Sequence, residues 1–231
     1  MEAILLVGGK AERLADAARG RPKALVVVGG RPLVSYQAAR LVEAGVERLI
    51  VSCALGQGEL FASELGGLGA EIVTVEEPEP LGRGGGLRLA ARARGESGPL
   101  YALNGDDLLD ADLAALLAQH RESGAAATVT VSPLRSPFGI VDLDGDLVTG
   151  FSESPPLPYW VNCGLYVLDD EAIARLPERG DHERTTFPEL AAEGKLRAFR
   201  HEGVWLTVNT PKDLRLAEEY MAAHPEWLRV P

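Results

Sequence analysis

The chain is poor in cysteine, histidine, lysine and asparagine, and it has no long apolar run. Its two cysteines, Cys53 and Cys163, stand far apart within apolar stretches. That excludes a disulfide framework and reads as two buried free thiols. The four histidines, His120, His182, His201 and His224, are scattered, so no His/Cys group has zinc spacing. No run of eighteen or more apolar residues is present to span a bilayer. The opening MEAILLV carries neither the basic region nor the cleavage site of a secretory signal, which points to the cytoplasm. Positive charge is also scarce: the net charge is −11, which argues against nucleic acid or anionic lipid as a partner. Lysine occurs only four times and asparagine only as Asn104, Asn162 and Asn209. In a composition dominated by Ala, Leu, Gly, Glu and Arg, those few residues are candidates for a specific task.

What is present is an ordinary globular balance. The 231 residues, 46% hydrophobic and 25% charged, suit one medium domain with a sizeable core. Apolar runs at 2–7, 46–53, 70–77 and 99–106 read as strands, and the segments 32–44, 57–65, 87–94 and 110–121 have helical spacing. Such alternation predicts an α/β fold: Rossmann-like and doubly wound, with a mostly parallel mixed sheet and helices on both faces. The second half changes character. ATVTVSP, FGIVDLD, LVTGFSE and residues 160–168 are strand-like, with a hairpin turn at Asp144-Gly145 and a last helix at 211–223. We therefore expect a single domain over 1–231. Its nucleotide-binding half covers about 1–122, and about 123–231 adds antiparallel strands and a small substrate lobe.

The first loop concentrates what the chain otherwise lacks. After the strand come Gly8-Gly9, and then Lys10, Arg13, Arg19, Arg21 and Lys23 against only Glu12 and Asp16. In open α/β sheets ligands bind beyond the carboxyl ends of the strands. Glycines there let backbone N–H groups approach a ligand, while Arg and Lys contact phosphates as a fork and as a point charge. The loop is neither a Walker sequence nor a G-x-G-x-x-G turn. A solvated charged loop is the alternative, and the placement between strand and Pro22-Lys23 favours an anion site.

Five segments in order carry a resemblance. "GGKAERL…RPKALVVVGGRPLVSY", "EPLGRGGGL" (79–87), "LNGDDL" (103–108), "WVNCGLYVL" (160–168) and "GVWLTVNTPKDL" (203–214) resemble sugar-1-phosphate nucleotidyltransferases across nearly the whole chain. The resemblance implies joining a nucleoside triphosphate to a sugar 1-phosphate with release of pyrophosphate. "DHERTTFPELAAEGKL" (181–196) resembles the branches that transfer guanylyl to mannose or heptose 1-phosphate. Uridylyl transfer to an amino sugar and cytidylyl transfer to a polyol phosphate stay open. So do nucleotide transfer to a molybdenum cofactor or isoprenoid precursor, and a non-catalytic nucleotide-sugar binding module. The chain departs from the family pattern at Ala11-Glu12, where G-T is usual, at Ser154, where a sugar-phosphate lysine is common, and at Thr207, where many members have aspartate.

The resemblance also implies roles. Leu6, Gly8, Gly9, Lys10, Gly82, Gly85 and Gly86 would bind the nucleotide, with Gly82 and Gly84–Gly86 as a tight turn before a helix. Arg13 would hold the β- and γ-phosphates, and Lys23 the α-phosphate. Asp106 and Asn209 would hold Mg²⁺, a hard cation that prefers oxygen ligands. Asn104, Glu153 and Asn162 would contact the sugar. Competing readings are a turn cap for Asp106, a helix N-cap for Asn209 and a surface charge for Glu153, while Arg83 either supplies a cation to the nucleotide or faces water. Asp107 is assigned to solvent or to support of its neighbour, and Tyr159 and Trp160 to core or pocket wall. No general base is needed, because a phosphate nucleophile is already ionised.

Overall fold

A computed structural model of the chain describes residues 1–9, 12–14, 18 and 20–229. Strands in chain order are β1 (Glu2–Leu6), β2 (Val27–Val28), β3 (Arg31–Pro32), β4 (Arg48–Ala54), β5 (Glu71–Glu77), β6 (Leu100–Asn104), β7 (Asp107–Leu109), β8 (Ala127–Arg135), β9 (Ile140–Asp144), β10 (Leu147–Ser152), β11 (Pro156–Leu168), β12 (Leu196–Arg200) and β13 (Trp205–Thr207). Helices are α1 (Leu33–Glu43), α2 (Gly58–Leu65), α3 (Gly82–Ala90), α4 (Leu113–Ser123), α5 (Asp170–Ala174), α6 (Thr186–Ala192) and α7 (Pro211–Ala223).

The main sheet has seven strands in the order β12-β8-β11-β6-β1-β4-β5. Strand β11 runs antiparallel to β6 and β8, and the remaining neighbours pair in parallel. The mixed, mostly parallel sheet read from the sequence is thus present. Strand β1 shows why both faces are covered. Ala3, Leu5 and Val7 enter one core with Val34, Leu41, Phe61 and Leu116 from α1, α2 and α4. Ile4, between them, enters the other core with Leu87, Ala172 and Leu190 from α3, α5 and α6. Side chains alternate along a strand, so an all-apolar run needs helices on both sides. Each large aliphatic side chain buried this way contributes about 1.5–3 kcal/mol.

Several boundaries move. Strand β11 begins at Pro156, before the expected start at 160, and β9 and β10 form a hairpin around Gly145 separate from the main sheet. Helix α3 begins at Gly82 and not at 87. Helix α7 spans 211–223 as read, because Thr210 caps it: its Oγ1 accepts from the Asp213 N–H (3.2 Å), and Asp213 Oδ2 accepts from the Thr210 N–H (2.8 Å). Among the described residues no helix is long and apolar enough to cross a membrane.

Candidate active site

The sheet order sets the place. From β1 the chain moves outward to β4 and β5, then returns to lay β6 on the other side of β1. A crevice opens beyond the strand ends at such a reversal. Leu6, at the end of β1, is in register with Ser52 on one side and Asn104 on the other. Its carbonyl accepts from the Gly105 N–H (2.9 Å), and the Lys23 N–H donates to Gly9 O (3.3 Å). The first loop therefore starts and ends at this crevice.

Three distant segments converge there. The buried Lys23 donates from Nζ to Asp106 Oδ2 and to Asn209 Oδ1, each at 2.5 Å. Asp106 sits in the turn between β6 and β7. Asn209 arrives because β13 pairs antiparallel with β7, Thr207 opposite Asp107. The N-cap reading of Asn209 is corrected: Thr210 caps α7, and the Asn209 side chain faces Lys23. A carboxylate and an amide oxygen thus already face one cation, the lysine ammonium. That donor set suits Mg²⁺, which takes few protein oxygens and keeps water ligands. The described residues contain no group of three or more His, Cys, Asp or Glu able to hold a metal.

Two cavities meet at Asp106. The larger, about 790 Å³, is lined by Leu6, Gly8, Gly9, Lys23, Gly82 and Asp106, with Leu55, Gln57, Pro78 and Pro80 as further walls. The smaller, about 260 Å³, is lined by Asp107, Asn162, Thr207 and Asn209, with Trp205 and Gly164. Arg83, Asn104 and Asp106 border both. Gly164 has φ +74°, and a Cβ there would meet the Asn104 side chain, so glycine keeps the small cavity open. Asn162 Oδ1 accepts from the Gly164 N–H (2.8 Å) and its Nδ2 donates to Tyr166 Oη (2.8 Å). Burial pushes the Tyr166 hydroxyl well above its usual range, which keeps it neutral.

Not every sequence candidate lines this crevice. Arg13 is exposed in a 3-10 turn at Glu12–Leu14 and borders neither cavity, and Lys10 lies outside the described residues. Glu153 is exposed between β10 and β11, away from both cavities, and Ser154 beside it has φ +47°. The expected tight turn at Gly84–Gly86 is corrected to helix. Gly85 and Gly86 are buried in α3 and do not border either cavity, whereas Gly82 does.

Two residues gain importance. Asp107, assigned to solvent or to support of its neighbour, is half-buried and accepts from Asn104 Nδ2 (3.3 Å). Desolvation, then the negative charge of Asp106, pushes its carboxyl up to about 7. Glu77 closes β5. Its Oε1 accepts from Ser52 Oγ (3.0 Å) and its Oε2 from the Leu81 N–H (3.1 Å), which fixes the turn into α3. A carboxylate at a strand end in VEEPEP was the available sequence signal for it.

Comparison with known proteins gives a consistent picture. Residues 2–224 match the nucleotidyl transferase family. The mannose-1-phosphate guanylyltransferase of Mycobacterium tuberculosis is 34% identical over 227 residues, covering 92% of this chain and 62% of that protein. The mannose-1-phosphate guanylyltransferase catalytic subunit beta of Xenopus tropicalis is 30% identical, covering 100% of this chain and 68% of that protein. The chain thus spans about two thirds of the length of these relatives. The crystal structure of HddC from Yersinia pseudotuberculosis shares the fold, with a TM-score of 0.75 at 22% identity, covering 95% of this chain and 99% of that one.

Proposed function

The chain belongs to the nucleotidyl transferase family, and we propose that it transfers a guanylyl group from GTP to mannose 1-phosphate or a heptose 1-phosphate, forming a GDP-sugar and pyrophosphate. The observation that carries this reading is the meeting of the two cavities at Asp106, 2.5 Å from Lys23 Nζ. The larger cavity has the room and the apolar walls for a nucleotide. The smaller is bordered by Asn104, Asn162 and Asn209, whose amides can donate to and accept from sugar hydroxyls. The relatives' names support guanylyl and mannose 1-phosphate over the other bases and sugars.

In this reading a phosphate oxygen of the sugar 1-phosphate attacks the α-phosphorus in line. The bond from the α-phosphorus to the bridging oxygen breaks, and pyrophosphate leaves with that electron pair. The protein's contribution is positioning and charge stabilisation. Lys23 donates to the α-phosphoryl oxygens as negative charge builds. Gly8 and Gly9 let the backbone approach the phosphates, and the charged first loop, Arg13 and Lys10 included, supplies further positive charge. Asp106 and Asn209 would hold Mg²⁺, turning from Lys23 to do so. Bound there, the ion would supply positive charge that offsets the charge of the phosphates. Glu153 would reach the sugar only from its exposed loop, so its part in recognition is secondary to Asn104 and Asn162.

A pyrophosphate-release screen with Mg²⁺, crossing the five common nucleoside triphosphates with a panel of sugar 1-phosphates, tests the proposal. GTP with mannose or heptose 1-phosphate should give the highest kcat/KM. A clear preference for UTP or CTP would replace the base. Release from no pair would leave a binding module.

A further inference from the structure

The smaller cavity has an unbalanced charge. Two carboxylates, Asp106 and Asp107, border it, yet a sugar 1-phosphate brings a further dianion. Lys23 lines the larger cavity and is engaged by Asp106 and Asn209. Among the described residues bordering the smaller cavity, Arg83 is the one cation.

Arg83 sits in the first turn of α3 and is held from below. Its backbone N–H donates to Asp181 Oδ1 (3.1 Å), its Nε lies 3.7 Å from the same oxygen, and its Nη1 lies 2.8 Å from Glu183 Oε1. The side chain is 50% exposed. Two acids therefore orient the guanidinium, and Arg83 borders both cavities.

We propose that Arg83 binds the phosphate of the sugar 1-phosphate, and so selects phosphorylated over free sugar at the small cavity. This rests on the reading of the site as a nucleotidyltransferase centre. A guanidinium suits the task because its planar donors match a phosphate edge. The triphosphate has other cations, since Arg21 and Lys23 border the larger cavity. Ser154 offers no charge and borders neither cavity.

Steady-state kinetics on the substrate pair chosen by the pyrophosphate screen test the proposal. Arg83→Gln should raise KM for the sugar 1-phosphate by roughly 10- to 150-fold, the range of a charge-assisted hydrogen bond, while KM for the nucleotide moves less than about threefold. Arg83→Lys keeps the charge without the fork and should fall between. An unchanged KM for the sugar 1-phosphate, or an equal rise in both KM values, overturns the assignment. Equilibrium binding of mannose 1-phosphate and of mannose separates this from the proposed reaction. If the wild-type protein prefers the phosphorylated sugar and Arg83→Gln or Arg83→Lys weakens that preference, Arg83 stands even if no pair is turned over. If the wild-type protein has no preference, or both variants keep it, Arg83 is not the phosphate ligand, whatever the screen shows.

Discussion

Replacing Lys23 by alanine should move two measurements in opposite directions. Lys23 Nζ donates at 2.5 Å to both Asp106 and Asn209, from a side chain only 10% exposed. If Lys23 stabilises charge at the α-phosphorus, its removal costs about 2.7–4 kcal/mol of the barrier, a fall in kcat of roughly 100- to 1000-fold with KM for GTP little changed. The same ammonium stands between the two oxygens assigned to the divalent cation. A cation entering without nucleotide must first break those bonds. The loss of even one charge-assisted bond is about 1.5 kcal/mol, so Lys23→Ala should bind Mn²⁺ about tenfold more tightly than wild type in the absence of nucleotide. A coupled pyrophosphate assay reads the first effect, and loss of the free Mn²⁺ electron paramagnetic resonance signal reads the second. A variant that merely misfolds loses both turnover and Mn²⁺ binding. A change in KM alone with kcat intact refutes the α-phosphate role, and an Mn²⁺ isotherm that overlays wild type refutes the shared position.

Asp106→Asn should keep the melting temperature within a few degrees yet nearly abolish turnover, and full wild-type activity in excess chelator would sink the metal assignment. Asp107 gives a pH signature. Its folded carboxyl is raised from 3.8 to about 7, first by desolvation and then by the Asp106 charge, so the folded chain keeps a proton that the unfolded chain releases. The penalty is absent below about pH 4, grows as pH rises to about 7 and then levels off. In metal-free buffer the melting-temperature advantage of Asp107→Asn over wild type should grow across that window, and a pH-independent difference would contradict the shift. Thr210→Ala should lower stability by about 0.5–2 kcal/mol through the lost cap and leave the Mg²⁺ titration of activity in place. Asn209→Ala should do the reverse, raising the Mg²⁺ requirement and lowering kcat with little thermal effect; a variant that only melts earlier returns Asn209 to a structural role.

The parts legible in the sequence were those set by local rules. AILLV announces a strand buried on both faces, and β1 is one. Thr210-Pro211 followed by Asp213 is a complete helix start, and α7 opens there. Lys23, Asp106 and Asn209 were named because the motifs that carry the family resemblance contain them, Lys23 and Asn209 being also of scarce residue types, and the fold does bring their side chains together. What stayed hidden depends on pairings between distant segments. The contact of Asp107 with Asn104 is one case: with β7 paired to β13, Asp106 stays in the turn and Asp107 accepts from Asn104. The ion pairs of Arg83 with Asp181 and Glu183 join parts of the chain that no spacing connects.

The glycines of α3 explain how that distant contact arises. Glycine weakens a helix interior by roughly 0.5–1 kcal/mol per residue, so G-R-G-G-G reads locally as a turn. The segment of 177–182 reverses that reading. A Cβ on Gly84 would lie 2.7 Å from Pro177 Cγ and 2.8 Å from the His182 nitrogen, and one on Gly85 would lie 2.7 Å from Glu178 O. On the opposite side, a Cβ on Gly86 would lie 2.7 Å from Glu77 Oε1. The missing side chains let the helix sit directly on this segment, where the Gly84 and Gly85 N–H groups donate to Gly180 O at 2.9 and 3.2 Å. That contact carries Asp181 and Glu183 up to Arg83, and it seats α3 against the Glu77 carboxylate that ends β5. The glycines therefore act on the site through helix packing, by fixing where Arg83 stands.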